Sequence, residues 1–248
     1  MMSTRYGQFC PIAKAAEILG ERWTILIVRE LLVGTTRFSD LQRGLSQISP
    51  TLLTKRLGQL QDSGLIVRKT LPNQQRTEYH LTPAGRDLLP VVMSLGKWGM
   101  QWARDQMSDD ELDVQLLMVE FCRRIDETRL PGGQTVIEFI FTGLPKFGHW
   151  WVVLAKGKER ELCEENPRKA VDLQVRSDVR TMAEIWAGDT EIRAAKKDGR
   201  VKLTGDPILS RTLSSWLRIS LLADVKPGTA ARKERSFFSR GISKDKDS

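Results

Sequence analysis

"ISPTLLTKRLGQLQDSG", residues 48–64, decides how the first half of this chain folds. Ser49 is a hydroxyl N-cap, Pro50 suits the first helical position, and Gly64 is a natural C-terminal stop. Between them, Leu52, Leu53, Leu57 and Leu60 share one arc at helical spacing. Thr51, Thr54, Lys55, Gly58, Gln59 and Asp62 take most of the opposite arc, and Arg56 flanks it. Alone, the segment is an amphipathic helix of the kind that usually does nothing but pack. Its neighbours give it a second meaning.

Upstream, "CPIAKAAEILG" (10–20) reads as a helix between Pro11 and Gly20, with Ile12, Ala15, Ala16 and Leu19 as its apolar stripe. "ERWTILIVRELLVGTTR" (21–37) is apolar almost all round and stops at Gly34, so it should lie at the centre of a small core. "TRFSDLQRGLSQIS" (36–49) is a short helix with Ser39 as its N-cap and Phe38, Leu41 and Leu45 as its buried side. Downstream the period changes from helical to alternating. Residues 65–82 predict a hairpin with a polar, basic tip at 72–77. Thr82-Pro83 then opens a long helix to about Met107, kinked at Pro90. Its apolar residues, Trp98 and Trp102 among them, exceed what a small domain can cover. They imply a partner helix, a second domain, or both.

Three helices, a fourth after a short turn, a hairpin and a long helix is the element order of a winged helix-turn-helix. In that frame residues 50–62 are the recognition helix. The leucine arc anchors it, and the polar arc is free to enter a major groove ~12 Å wide. Thr51, Thr54, Lys55 and Gln59 are expected at base edges or nearby phosphates, and Ser49 with the first turn at a phosphate. Arg56 and Arg37 are expected at phosphates. Asn73, Gln74, Gln75 and Arg76 are expected along the minor groove or backbone.

Composition shifts at "SDDELD" (108–113), where Ser108 and Glu111 form a capping box. A helix through residues 114–126 follows, then strands at "TVIEFIFTG", "HWWVVLAKG" and "VDLQVRSD". A helix begins at Ser177 or Asp178 and stops at Gly188. A short strand, "GRVKLTGD", and a helix from Pro207 complete the pattern. The expected architecture is α+β throughout. Residues 1–107 form the DNA-binding domain, and 108–225 an α+β domain on an antiparallel-type sheet. Residues 226–248 form a basic, disordered tail.

Charge agrees with that division. Residues 1–110 hold 14 Lys+Arg against 10 Asp+Glu, residues 111–225 hold 18 against 18, and residues 226–248 hold 7 against 3. Only the first module and the tail are suited to a polyanion. No apolar run approaches the ~18–20 residues of a membrane span, and the first residues lack a signal-peptide core. The cytoplasm is the expected compartment. Three widely spaced cysteines make neither a disulfide framework nor a zinc site. His80 and His149 are the only histidines, and no nucleophile motif or phosphate loop accompanies them. We expect no enzyme, no metal and no cofactor.

The first hundred residues resemble the HxlR family of bacterial winged helix-turn-helix regulators. The initial Cys-Pro, "G-x-RW", "RF-x-x-L", "ISP-x-LL-x-x-RL" and "Y-x-LT-x-x-G" carry the likeness, ungapped over some sixty residues. It implies a homodimer on double-stranded DNA and a role in transcription. The long helix would pair with its copy, which places two recognition helices one DNA turn, ~34 Å, apart on a pseudo-palindromic operator. Cys10 lies at a helix start, where the helix dipole lowers a thiol's pKa. Relatives use such a cysteine as an oxidant or electrophile sensor, and an unreactive, half-buried thiol is the other reading.

"DLQVRSDVRTMAEIWAGDTEIRAAKKDGRVKLTGDPILSRTLSSWL" (172–217) is similar to the C-terminal part of sterol-carrier-type domains, which enclose an apolar tunnel. That likeness implies a small apolar or amphipathic effector lined by Phe139, Phe141, Met182, Trp186, Leu213, Leu217 and one of the pair Trp150/Trp151. Strand alternation puts those two on opposite faces, and Trp151 is taken as the lining residue. A filled core is the alternative for this domain. A hydrophobic-ligand carrier with an appended DNA module is the alternative for the whole chain.

Overall fold

Helix punctuation governs the first of two units into which the chain divides, between Ser94 and Leu95. The computed structural model describes residues 5–71, 76–104 and 111–228. Helices α1 (Pro11–Leu19), α2 (Thr24–Leu32), α3 (Phe38–Gly44) and α4 (Pro50–Asp62) precede a hairpin of β1 (Ile66–Leu71) and β2 (Arg76–Leu81). A single turn, α5 (Pro83–Arg86), and a longer helix, α6 (Leu89–Trp102), follow. This is the winged helix-turn-helix order expected from the sequence. Ile27, Val28 and Leu31 of α2 meet Leu41 of α3 and Leu53, Leu57 and Leu60 of α4 in one core. Leu65, Ile66 and Tyr79 close it from the wing. The pairing Ile66↔Leu81 to Leu71↔Arg76 makes the hairpin antiparallel. A bridge between Arg37 and Glu78 joins the segment before α3 to the wing.

Three local expectations fail, each for a physical reason. Only part of the stripe assigned to α1 faces inward: Leu19 packs against the core and Ala16 is half-buried, but Ile12 is 80% exposed, Ala15 is exposed, and Ala13 is the buried residue of that helix. Arg37, not Ser39, occupies the N-cap position of α3, because Phe38 is already helical and must point into the core. The single long helix after Thr82 is two. Pro90 has no N–H to offer the Arg86 carbonyl and crowds it, so the chain turns at Asp87–Leu88 and restarts with proline in the first turn. The expected continuation to Met107 runs into residues outside those described.

The junction between α4 and the wing is unusually tight. Gly64 adopts φ 71°, and the N–H groups of Gly64 and Leu65 return to the carbonyls of Gln61 and Leu60. This is a Schellman stop, which satisfies the last carbonyls of the helix. Thr82 Oγ1 donates to the Gly64 carbonyl (2.7 Å) and, more weakly, to that of Leu65 (3.2 Å), while accepting the Gly85 N–H (3.2 Å). A Cβ on Gly85 would come within 2.2 Å of the Leu65 carbonyl oxygen.

The second unit begins within α6 and continues with α7 (Val114–Arg124), a 3-10 turn (Glu127–Arg129), β3 (Gln134–Phe141), β4 (His149–Ala155) and β5 (Glu161–Cys163). Then come β6 (Leu173–Ser177), α8 (Val179–Ala187), α9 (Ile192–Lys197), β7 (Lys202–Gly205) and α10 (Pro207–Trp216). The sheet order is β5-β4-β3-β6-β7, with β3 and β6 parallel and the other pairs antiparallel. The antiparallel-type sheet expected from the sequence is therefore mixed, because the chain crosses over after β5 to enter beside β3. Asp113 caps α7 by accepting the Leu116 N–H (3.0 Å), in place of the expected Ser108, which lies outside the described residues. Strand β5 and helix α9 fall in stretches too short and polar to show a period. Helix α10 ends at Trp216, short of the apolar residues that follow.

One face of the sheet holds a large core with α7, α8 and α10. Phe121, Phe139, Trp150 and Trp216 are its biggest members. The other face has a small cluster of Val136, Trp151 and Val153. Gly205 (φ 128°) lies so close to the Asp172 carbonyl that a Cβ would sit 2.2 Å from its oxygen. Asp206 then caps α10, accepting from the N–H groups of Ile208 and Leu209. Arg104 reaches from beyond α6 to the Ala187 carbonyl (3.1 Å) and pairs with Asp189, so the end of α8 is held by a buried cation.

Gly85→Ala should destabilise the protein by about 1–3 kcal/mol, because backbone cannot move aside cheaply. Chemical denaturation of the variant checks this. Ala in place of Gly99, where a Cβ meets nothing, is the matched control.

Candidate nucleic-acid interface

Helix α4 is fixed at three points. At its start Ser49 Oγ accepts the Leu52 N–H (3.3 Å). At its end the Gly64–Thr82 junction holds it. In the middle Arg56 is only 7% exposed. Its guanidinium pairs with Glu21 (2.6 Å), donates to the Arg22 carbonyl (3.0 Å) and donates to Gln59 Oε1 (2.7 Å). The turn it grips is itself constrained. Trp23 sits at φ 80°, which places Thr24 at the start of α2, and the Arg22 guanidinium lies over the Trp23 ring. Arg56, expected at a phosphate, is thus an internal strut between α4 and the α1–α2 turn. Its flanking position in the helix pattern did not show which way it would turn.

Thr51, Thr54, Lys55 and Gln59 of α4 are exposed, as are Pro50 at its start and Gln61 and Asp62 in its last turn. Thr54 Oγ1 donates to the Pro50 carbonyl (2.9 Å), so its hydroxyl proton is committed and its oxygen is left to accept. Gln59 uses Oε1 on Arg56, which orients the amide. Lys55 Nζ and the Thr51 hydroxyl complete a face of short and flexible hydrogen-bonding groups. Ser49 is exposed at the helix start, where backbone N–H groups and the dipole favour an anion. Arg37 is half-buried beside the wing. Arg76 is exposed at the base of the wing tip. Asn73, Gln74 and Gln75 lie outside the described residues. His80 accompanies Glu78 in the wing (3.0 Å), a structural pairing.

The structure does not assemble the expected effector lining as one set. Phe139, Phe141, Met182, Leu213 and Leu217 are members of the packed core on the helical side of the sheet. Trp186 packs against that core, and its buried Nε1 has no hydrogen-bond partner among the described residues. Trp151 lies on the opposite face. The register pairs Phe139 with Trp150 and Glu138 with Trp151, so Trp150 is the ring that joins Phe139. Glu138, buried beneath that second face, accepts from Gln174 Nε2 (2.7 Å) and pairs with His149 Nδ1 (3.0 Å). Sequence pattern missed this polar trio because its members lie on three strands. Cys10 is half-buried immediately before α1 and makes no side-chain capping bond. No group of three or more metal-ligating side chains occurs among the described residues. No described helix is long and apolar enough to cross a membrane.

The profile of the HxlR-like helix-turn-helix family matches residues 18–107. The chain is 38% identical over 98 residues to an uncharacterized HTH-type transcriptional regulator of Bacillus subtilis, YvaP, covering 39% of this chain and 91% of that protein. A second such regulator, sll1512 of Synechocystis, is 36% identical over 107 residues, covering 43% of this chain and 79% of the relative. Among solved structures, the reduced form of the transcriptional regulator YodB from B. subtilis is 30% identical. It covers 42% of this chain and 98% of that one, with a TM-score of 0.34.

Arg56→Met should lower stability by about 1–3 kcal/mol, since it removes charge-assisted hydrogen bonds from a partner that is itself half-exposed. Lys55→Met should leave stability within about 0.5 kcal/mol. Thermal unfolding of both variants checks the assignment: equal, small effects would return Arg56 to the surface.

Proposed function

The chain belongs to the HxlR-like helix-turn-helix family, and from that premise we propose that it is a DNA-binding transcriptional regulator that grips a pseudo-palindromic operator as a homodimer. The observation that carries this reading is the exposed face of α4. A helix held at its start, middle and end presents Thr51, Thr54, Lys55 and Gln59 to solvent, with Gln61 and Asp62 also exposed in its last turn. In the groove Lys55 suits guanine O6 and N7, Gln59 suits adenine, and the Thr54 methyl suits thymine. Ser49 and the first turn of α4 supply phosphate contacts, with Arg37, Arg76, Asn73, Gln74 and Gln75 along the backbone or minor groove.

Helix α6 supports the dimer. None of its residues is buried. Val91, Leu95, Trp98 and Trp102 recur at spacings of four and three, a heptad-like seam of large apolar side chains. Pairing that seam with its copy covers surface that a monomer leaves in water. The second unit is proposed to receive a small apolar or amphipathic effector. The sterol-carrier likeness of residues 172–217 supports this, as do the roles of Gly205 and Asp206 in the motif that carries it. Effector binding would shift operator affinity through α6, by a coupling of ~1–3 kcal/mol.

Lys55→Ala combined with Gln59→Ala should reduce binding to the selected operator by about 1–3 kcal/mol per lost base contact, with less effect on random duplex. Binding isotherms on both DNAs at one stated salt concentration check it. Equal loss on both would make these residues backbone contacts. Trp98→Glu should convert dimer to monomer in analytical ultracentrifugation and weaken operator binding while the fold persists.

A further inference from the structure

A cleft of about 440 Å³ opens in the second unit where the 3-10 turn and the loop after it meet the adjoining ends of β3 and β4. Its wall is mainly apolar, with Leu130 on one side and Leu154 on the other. Leu154 belongs to the core layer, and Leu130 packs against it. The cleft therefore borders that core at the ends of β3 and β4. Thr135, the register partner of Leu154, forms part of its floor. Thr135 is 4% exposed, and it lines the cleft. A β-branched hydroxyl stands where the same face continues with Ile137 and Phe139. That places a hydrogen-bonding group in a mainly apolar lining.

The electrostatics are lopsided. Glu127 on the rim is occupied by Arg160 (2.5 Å), whose Nη1 also donates to the carbonyls of Cys122 and Arg123. Lys156 stands exposed on the same rim with no carboxylate at ion-pair distance among the described residues. The wall itself is anchored. Thr128 and Arg218 both hydrogen-bond the Asp126 carboxylate, which holds its pKa down to about 2, and the Asp126 N–H reaches the Trp216 carbonyl (2.7 Å).

We propose that this cleft is a binding site for a small amphipathic carboxylate. The apolar body lies between Leu130 and Leu154, Thr135 meets a polar group at the floor, and the carboxylate faces Lys156. The volume falls in the range of small-ligand sites, ~300–1,000 Å³. The proposal places the effector at this edge and leaves the packed aromatic core closed. It rests on the reading that the second unit senses an effector.

The test uses full-length protein titrated with octanoate, and with 1-octanol as the uncharged control, by isothermal titration calorimetry. Three variants accompany it: Lys156→Gln, Thr135→Val and Gly132→Phe. A Cβ on Gly132 meets nothing within 4 Å, so the phenyl ring can plug the cleft from its rim. Saturable octanoate binding is expected, weakened about tenfold by Lys156→Gln, in line with one charge-assisted contact. Thr135→Val should leave octanoate binding unchanged, because its tail carries no polar group for the hydroxyl to meet, and Gly132→Phe should abolish binding with the unfolding midpoint unchanged. Absence of saturable binding, or equal binding by wild type and the plugged variant, overturns the site. Operator affinity measured with and without octanoate separates the two claims. Binding that is lost on plugging but leaves operator affinity unmoved keeps the site and removes the effector reading. An effect on operator affinity that persists in Gly132→Phe keeps the effector reading and removes the site.

Discussion

The carbonyls of Gly64 and Leu65 are claimed by Thr82, and the first unit depends on that claim. A helix end leaves four carbonyls without intrahelical partners. Here the Schellman turn satisfies some of them, and Thr82 then brings the return strand of the wing against the same point. Gly85 allows the next turn to pass within van der Waals distance of the Leu65 oxygen. The recognition helix, the wing and the route into α6 are fixed together at one junction. Arg56 supplies a second tie, to the turn between α1 and α2. A helix secured in this way can expose its polar face without losing its position. That matters for the proposed role, in which misplacement in a groove would weaken every base contact at once.

The second consequence concerns α6. The turn imposed by Pro90 lets Leu88 and Val92 pack on the first core while the Val91–Trp102 seam stays in solvent. The far end of the same helix belongs to the second unit. There Trp102 lies over the backbone of Gly228, and the Gly228 N–H returns to the Gln101 carbonyl. A change in the second unit therefore has a physical contact with the helix proposed to pair the two copies. Gly96, whose Cβ would meet the Leu222 side chain, adds another.

Strong local signals were legible in the sequence, and signals that depend on distant partners were not. Ser49, Pro50 and Gly64 bounded α4 correctly because capping chemistry is local. The central role of α2 followed from apolar residues around its whole circumference. Arg56 was misplaced because a flanking position on a helix does not reveal Glu21 and the Arg22 carbonyl, which lie over thirty residues away in sequence. Ile12 was misassigned because an apolar stripe is the same in sequence whether it faces a core or a solvent-exposed seam. Trp150 and Trp151 were correctly split between faces, but which one joined Phe139 depended on register. The parallel β3–β6 pair depended on a crossover that carries no pattern of its own, and the Thr135 cleft on a loop of glycines without one.

The central claim is that the exposed face of α4 reads sequence in a two-fold assembly. Selection of bound duplexes from a random pool, at one stated salt concentration, tests it most directly. The account predicts enrichment of an inverted repeat whose half-sites lie about 10 bp apart, centre to centre. Enrichment of a single asymmetric site, or of no sequence at all, would contradict it.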